Sequence, residues 1–131
     1  MIRKWRRISG AYDALIGTNI NVMDARGRII GSGDRERIGE LHEGALLVLS
    51  QGRVVDIDDA VARHLHGVRQ GINLPLRLEE GEIVGVIGLT GEPESLRKYG
   101  ELVCMTAEMM LEQSRLMHSW LRIAVCAKSW L

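Results

Sequence analysis

The sequence contains no phenylalanine, and its three tryptophans, Trp5, Trp120 and Trp130, all lie near the ends. An aromatic binding platform is therefore not what the middle of the chain offers. Two cysteines, Cys104 and Cys126, are too few for a disulfide framework or a four-ligand zinc site. Apolar runs are only a few residues long and mean hydropathy is near zero, which speaks against a membrane span. No basic–apolar–small leader opens the chain, so the expected location is the cytoplasm. A net charge is lacking too, but the zero hides a split: residues 1–17 carry +3, residues 119–131 carry +2 and the middle carries −5. A nucleic-acid reader needs a basic face on its folded part. This one leans acidic, so no direct nucleic-acid contact by this chain is expected.

What is present suits one compact domain. The 131 residues are 46% hydrophobic and 26% charged, enough to bury a core under a solvated surface. Asn19-Ile20-Asn21-Val22-Met23-Asp24 alternates polar and apolar as a half-buried strand does. After a turn at residues 24–27, residues 28–33 read as its hairpin partner. Residues 34–39 form a charged loop. His42 to Leu49 reads as a short helix stopped by Gln51-Gly52, and Val54 to Ile57 as a short extended segment. Residues 58–66 fit loop and helix equally. A second hairpin follows, with residues 71–78 and 83–89 joined by a turn at Glu79 to Glu82. Pro75 suits an edge or a bulge, and the glycines at 85 and 88 suit a strand lining a pocket or packing under a helix. From Pro93 towards Gln113, Leu96, Tyr99, Leu102, Val103, Met105, Met109 and Met110 recur at helical spacing. The fold class is α+β, an antiparallel sheet flanked by helices with a long C-terminal helix. Its element order is that of small PAS-like or Cache-like sensor domains.

Catalytic templates fail. His42-Glu43 begins a zinc-protease motif, but Leu46 stands where the second histidine belongs. His64 and His66 lack a carboxylate or cysteine to complete a metal site, and neither glycine cluster has the strand–loop–helix setting of a nucleotide fingerprint. No metal, cofactor or enzymatic activity is expected. The methionines of the last helix read as core or as a dimer seam. What remains is a constellation suited to a small anion. Ser32, Asp34, Arg35, Arg37, Gly39, His42, Glu43 and Gly44 share one loop that leads into a helix N-terminus, where amides and the helix dipole favour a carboxylate. An arginine can clamp that carboxylate with two hydrogen bonds. Asn73 has no obvious partner in its strand and could close the site. The alternative is that residues 35–37 are a solvated charge run and His42 a helix cap.

The stretches Asn19 to Asp24, Gly31 to Gly39, His42 to Ala45 and Gly91 to Pro93 resemble the sugar diacid recognition domain. This is the N-terminal sensor of carbohydrate diacid regulators, a family of bacterial transcription activators. The resemblance covers residues 18–118. It implies a sensor for a sugar-derived acid such as glucarate, galactarate or glycerate, whose signal reaches a C-terminal helix-turn-helix controlling diacid uptake and breakdown. It also implies ligand contact at Ser32, Asp34, Arg35, Arg37, Gly39, His42, Glu43 and Gly44. Within that set we expect Arg37 and the amides from Gly39 to Gly44 to hold a carboxylate. Ser32, His42 and Asn73 would read hydroxyls, and Asp34 would hold the loop.

Both ends depart from the family. Residues 1–17 lack the clean stripe of its amphipathic first helix, residues 119–131 lose the charged helical character of a connector, and the DNA-binding half is not in the sequence. Shifted reading frames account for both ends as a hypothesis, which fails if no other frame of the coding DNA restores a family-like helix. The second functional reading is a truncated interaction or dimerisation domain with a vestigial pocket.

Overall fold

The structure is a computed structural model that describes residues 19–65 and 69–129. The atypical segment 1–17 and His66 lie outside the described residues. Five strands form one antiparallel sheet: β1 (Ile20–Asp24), β2 (Ile29–Ser32), β3 (Val55–Ile57), β4 (Gly71–Arg77) and β5 (Ile83–Thr90), in the order β2-β1-β5-β4-β3. A 3-10 turn spans Arg35–Arg37, helix α1 spans Glu43–Gln51, the short α2 spans Asp59–Ala62, and α3 runs from Pro93 to Ser129. The α+β class, the two hairpins and the long last helix are as expected from the sequence.

The sheet is covered on both faces, and this changes what the alternation in β1 means. Ile20 and Val22 face α3 together with Ile72, Leu74, Leu76, Ile87 and Leu89. Met23 faces α1 with Ile29, Val55, Ile57 and Val86, against Ala45 and Val48 of the helix. The polar position inside β1 is therefore not solvated: Asn21 is only 3% exposed. Each fully buried aliphatic side chain contributes about 1.5–3 kcal/mol, so both layers hold the sheet.

Pro75 lies in a strand flanked by β5 and β3, but β3 pairs only with Gly71 to Asn73. Pro75 is thus past the reach of β3, where its missing N–H leaves no ladder bond unmade, and a register shift follows between Leu76 and Arg77. Helix α1 ends at Gly52, whose φ of 68° is the left-handed geometry of a helix C-cap.

Helix α3 is longer than its apolar periodicity predicts, continuing past Gln113 to Ser129. Its apolar residues also divide. Leu96, Val103, Cys104 and Ala107 are buried on the sheet, whereas Tyr99, Leu102, Met105 and Met109 are exposed. The methionines at 105 and 109 are not core. Cys104 has its thiol pushed up to about 12, by burial first and then by Glu108 and Glu101, which keeps it protonated and unreactive. Among the described residues, no helix is long and apolar enough to cross a membrane.

Candidate functional site

The site grows from the pairing register. Ser32 lies opposite Asn21, Asn21 opposite Gly88, Gly88 opposite Asn73 and Asn73 opposite Val55. Directly opposed residues share a face, so Ser32, Asn21, Gly88 and Asn73 form one polar row across four strands, beneath α1. Ser32 Oγ donates to Asn21 Oδ1 at 2.5 Å and accepts from the Asp34 amide at 3.1 Å. All three polar members are buried.

The loop after β2 carries α1 onto this row. The Gly39 amide donates to the Ile29 carbonyl at 2.8 Å, Ile29 donates to Glu40 at 2.9 Å, and His42 donates to Gly27 at 2.8 Å. The loop therefore runs back along the first hairpin and delivers His42 to the helix N-cap, where Nδ1 accepts from the Ala45 amide at 3.1 Å. Close approach needs glycine at two places. A Cβ on Gly44 would stand 2.8 Å from Asn73 Nδ2 and 2.9 Å from His42 Cε1, and one on Gly88 would stand 2.8 Å from Asn73 Oδ1.

A narrow cleft opens beside the row. Of the residues singled out in the sequence, Arg37, His42 and Asn73 line it; Asn21, Arg69, Gly71, Gly88, Leu89 and Thr90 complete it. Ser32 and Gly44 back the wall through Asn21 and Asn73. Asp34 caps the 3-10 turn by accepting from the Glu36 amide at 3.2 Å, so its carboxylate holds the loop. Arg35 and Gly39 are exposed, Glu43 is half-buried, and none of these three is in the cleft wall. The amides of Gly39 and His42 are spent on the hairpin, and that of Glu40 on the Arg37 carbonyl. They do not present the anion nest that the glycine-bounded loop suggests. Both readings of His42 meet here, because it caps α1 and lines the cleft.

Electrostatics favours an anion. The Arg37 side chain is only 13% exposed, with Nε 3.8 Å from the Glu40 carboxylate, and the exposed Arg69 also borders the cleft. Burial above all, with Arg37 beside it and Glu43 opposing, pushes the His42 imidazole down to about 4. It is neutral at physiological pH, and with Nδ1 accepting from Ala45 its proton sits on Nε2. Among the described residues, no three His, Cys, Asp or Glu side chains gather as a metal cage would require.

Asn21 and Arg69 are the functional candidates that sequence reasoning does not single out. Asn21 sits in a clean alternation and reads as solvent-facing; Arg69 sits outside every motif. The available signal was the glycines of β5, which mark a strand lining a pocket.

The family model described as "Putative sugar diacid recognition" matches residues 6–124. Over 104 residues the chain is 96% identical to the carbohydrate diacid regulator of Escherichia coli K12, covering 79% of this chain and 27% of that protein. An uncharacterised protein of Haemophilus influenzae is 45% identical over 111 residues, covering 82% of this chain and 30% of that one. The chain thus spans less than a third of the length of these curated relatives. Among solved structures, a methyl-accepting chemotaxis protein fragment superposes with a TM-score of 0.68 at 15% identity, covering 88% of this chain and 91% of that one. The GAF domain of an Acinetobacter phosphoenolpyruvate-protein phosphotransferase superposes with a TM-score of 0.61 at 12% identity, covering 90% and 85%. The cofactor-binding GAF domain of the nutrient sensor CodY from Clostridium difficile does so with 0.59 at 11%, covering 82% and 83%. These likenesses establish the fold, and the family match establishes membership: this chain belongs to the sugar diacid recognition family.

Proposed function

We propose that the chain is the ligand-sensing domain of a cytoplasmic bacterial transcriptional regulator, without enzymatic activity. Its ligand is a sugar-derived acid: glucarate, galactarate or glycerate. The observation that carries this reading is that two arginines, Arg37 and Arg69, border the same cleft as a buried polar row. Guanidiniums select a carboxylate, and buried carboxamides and hydroxyls select a polyhydroxylated one. Family membership and the name of the Escherichia coli relative support the same class of ligand. Residues 18–118 are the sensing unit, and the bound acid switches genes for diacid uptake and metabolism through a DNA-binding half that the longer relatives leave room for.

The test is a thermal-shift and calorimetric titration of the chain with the three acids, since a ligand bound only by the native state raises its stability by mass action. A shift that Arg37→Ala abolishes supports the sensor. Turnover of the acid would make the protein an enzyme instead. The exposed stripe on α3 favours a second role alongside sensing. Leu102, Met109 and Leu116 stand one heptad apart and are each more than half exposed. A second copy of the chain supplies the same spacing in parallel register, so the stripe is a homodimer seam. Should no acid bind, an interaction domain with a vestigial pocket is the reading that stays.

A further inference from the structure

Among the described residues three buried acceptors lack a partner, Asn19 Oδ1, Asn73 Oδ1 and Glu112 Oε2, and of these Asn73 belongs to the row under α1. Ser32 and Asn21 bond one another, and His42 is engaged by the Ala45 amide. Asn73 is only 3% exposed, yet its Oδ1 has no hydrogen-bond partner among the described residues. Native folds seldom bury a carboxamide oxygen without a donor, because its lost bond to water goes unreplaced. Nor is the side chain loosely held. It lies between Gly88 and Gly44, each of which would clash with one end of the carboxamide if it carried a Cβ. The sequence has cleared two places so that this group can stand in the cleft wall.

Carboxamide oxygen only accepts, so the missing partner is a donor. The same cleft is lined by Arg37 and Arg69, whose charges repel an ammonium group and attract a carboxylate. A molecule that satisfies both is an anion bearing a neutral O–H. Building on the acid-sensing role given above, we propose that Asn73 is the specificity-determining residue of this cleft. Its Oδ1 accepts a ligand hydroxyl, so the site takes hydroxylated carboxylates and rejects the same acids stripped of their hydroxyls.

The experiment is calorimetry on the full chain with glucarate and galactarate against adipate, the six-carbon dicarboxylate without hydroxyls. A site built to bond a hydroxyl discriminates strongly against the analogue lacking it, because its own buried group is then left unpaired. The wild type is expected to bind at least one hexarate tenfold or more tighter than adipate. In Asn73→Leu, of similar shape but without the acceptor, that preference should fall to within about threefold while adipate binding persists. Gly88→Ala crowds Oδ1 without deleting it and should erode the preference in the same direction, which keeps the test decisive if the leucine variant does not fold. Wild-type protein that binds adipate as well as the hexarates, or variants that keep the full preference, would overturn the role of Asn73 and leave acid sensing standing. Wild-type protein that binds none of these three acids, nor glycerate, overturns both.

Discussion

The two faces of the sheet are each closed by a helix, yet they are built from different chemistry. Towards α3, the inward residues of β1, β4 and β5 are aliphatic without interruption: Ile20, Val22, Ile72, Leu74, Leu76, Ile87 and Leu89. Towards α1, the same strands present Asn21, Gly88 and Asn73 in a row, with Ser32 beside them. Burying polar groups costs free energy unless each is paired, so the second face is the poorer way to stabilise a sheet. The contrast separates labour between the faces. The α3 face carries stability, and the α1 face gives up some of it to hold the polar row on which the proposed recognition rests.

Substitutions can break or sharpen that division. The largest effect is expected on the α3 face. Ile72→Ala removes a fully buried side chain and should lower stability by about 2–5 kcal/mol in denaturant melts. A loss below 1 kcal/mol would mean that this face is not the one that carries stability.

Next is the pH response of the α1 face. The folded-state value of His42, about 4, lies below its ordinary 6.5, so the unfolded chain takes up the proton first as pH falls. Stability is therefore retained above pH 6.5 and declines between 6.5 and 4, by about 3 kcal/mol from this group. Melts at pH 7, 5.5 and 4 measure the decline. His42→Asn, which keeps a capping acceptor but does not titrate, should remove most of it.

A smaller change of opposite sign is expected at Asn73. Deleting an unmatched buried acceptor in Asn73→Leu should raise the stability of the acid-free protein by roughly 1 kcal/mol. A loss as large as that of Ile72→Ala would show the polar row to be structural and erase the distinction between the faces. The smallest effect on folding is expected at the exposed α3 stripe. Met109→Glu should leave stability within about 0.5 kcal/mol while shifting sedimentation from dimer to monomer. An unchanged sedimentation profile would remove the proposed seam.

Much of the fold was legible because its signals are local. The hairpin turn at residues 24–27, the stop at Gly52 and the proline that starts α3 act within a few residues of themselves. The site was legible only in part. Arg37, His42 and Asn73 are in the cleft, but Gly39 and Arg35, neighbours in sequence, are not. A loop motif does not say which of its amides a neighbouring hairpin will take, and here the hairpin takes those of Gly39 and His42. The apolar stripe of the last helix marked the helix but not which of its residues are buried: helical spacing identifies apolar residues and does not say how wide a strip the sheet will cover.

By itself the sequence determined the order of strands and helices and the presence of a charged loop ahead of α1, because periodicity, turn chemistry and charge are properties of short segments. Tertiary structure alone decided that Asn21 is buried, that it lies with Asn73 on either side of Gly88, and that α1 covers them. Alternation in a strand is the same whether its polar side meets water or a helix. Only the register of three strands and the helix above them distinguishes a solvated asparagine from one buried in a polar row beneath a helix.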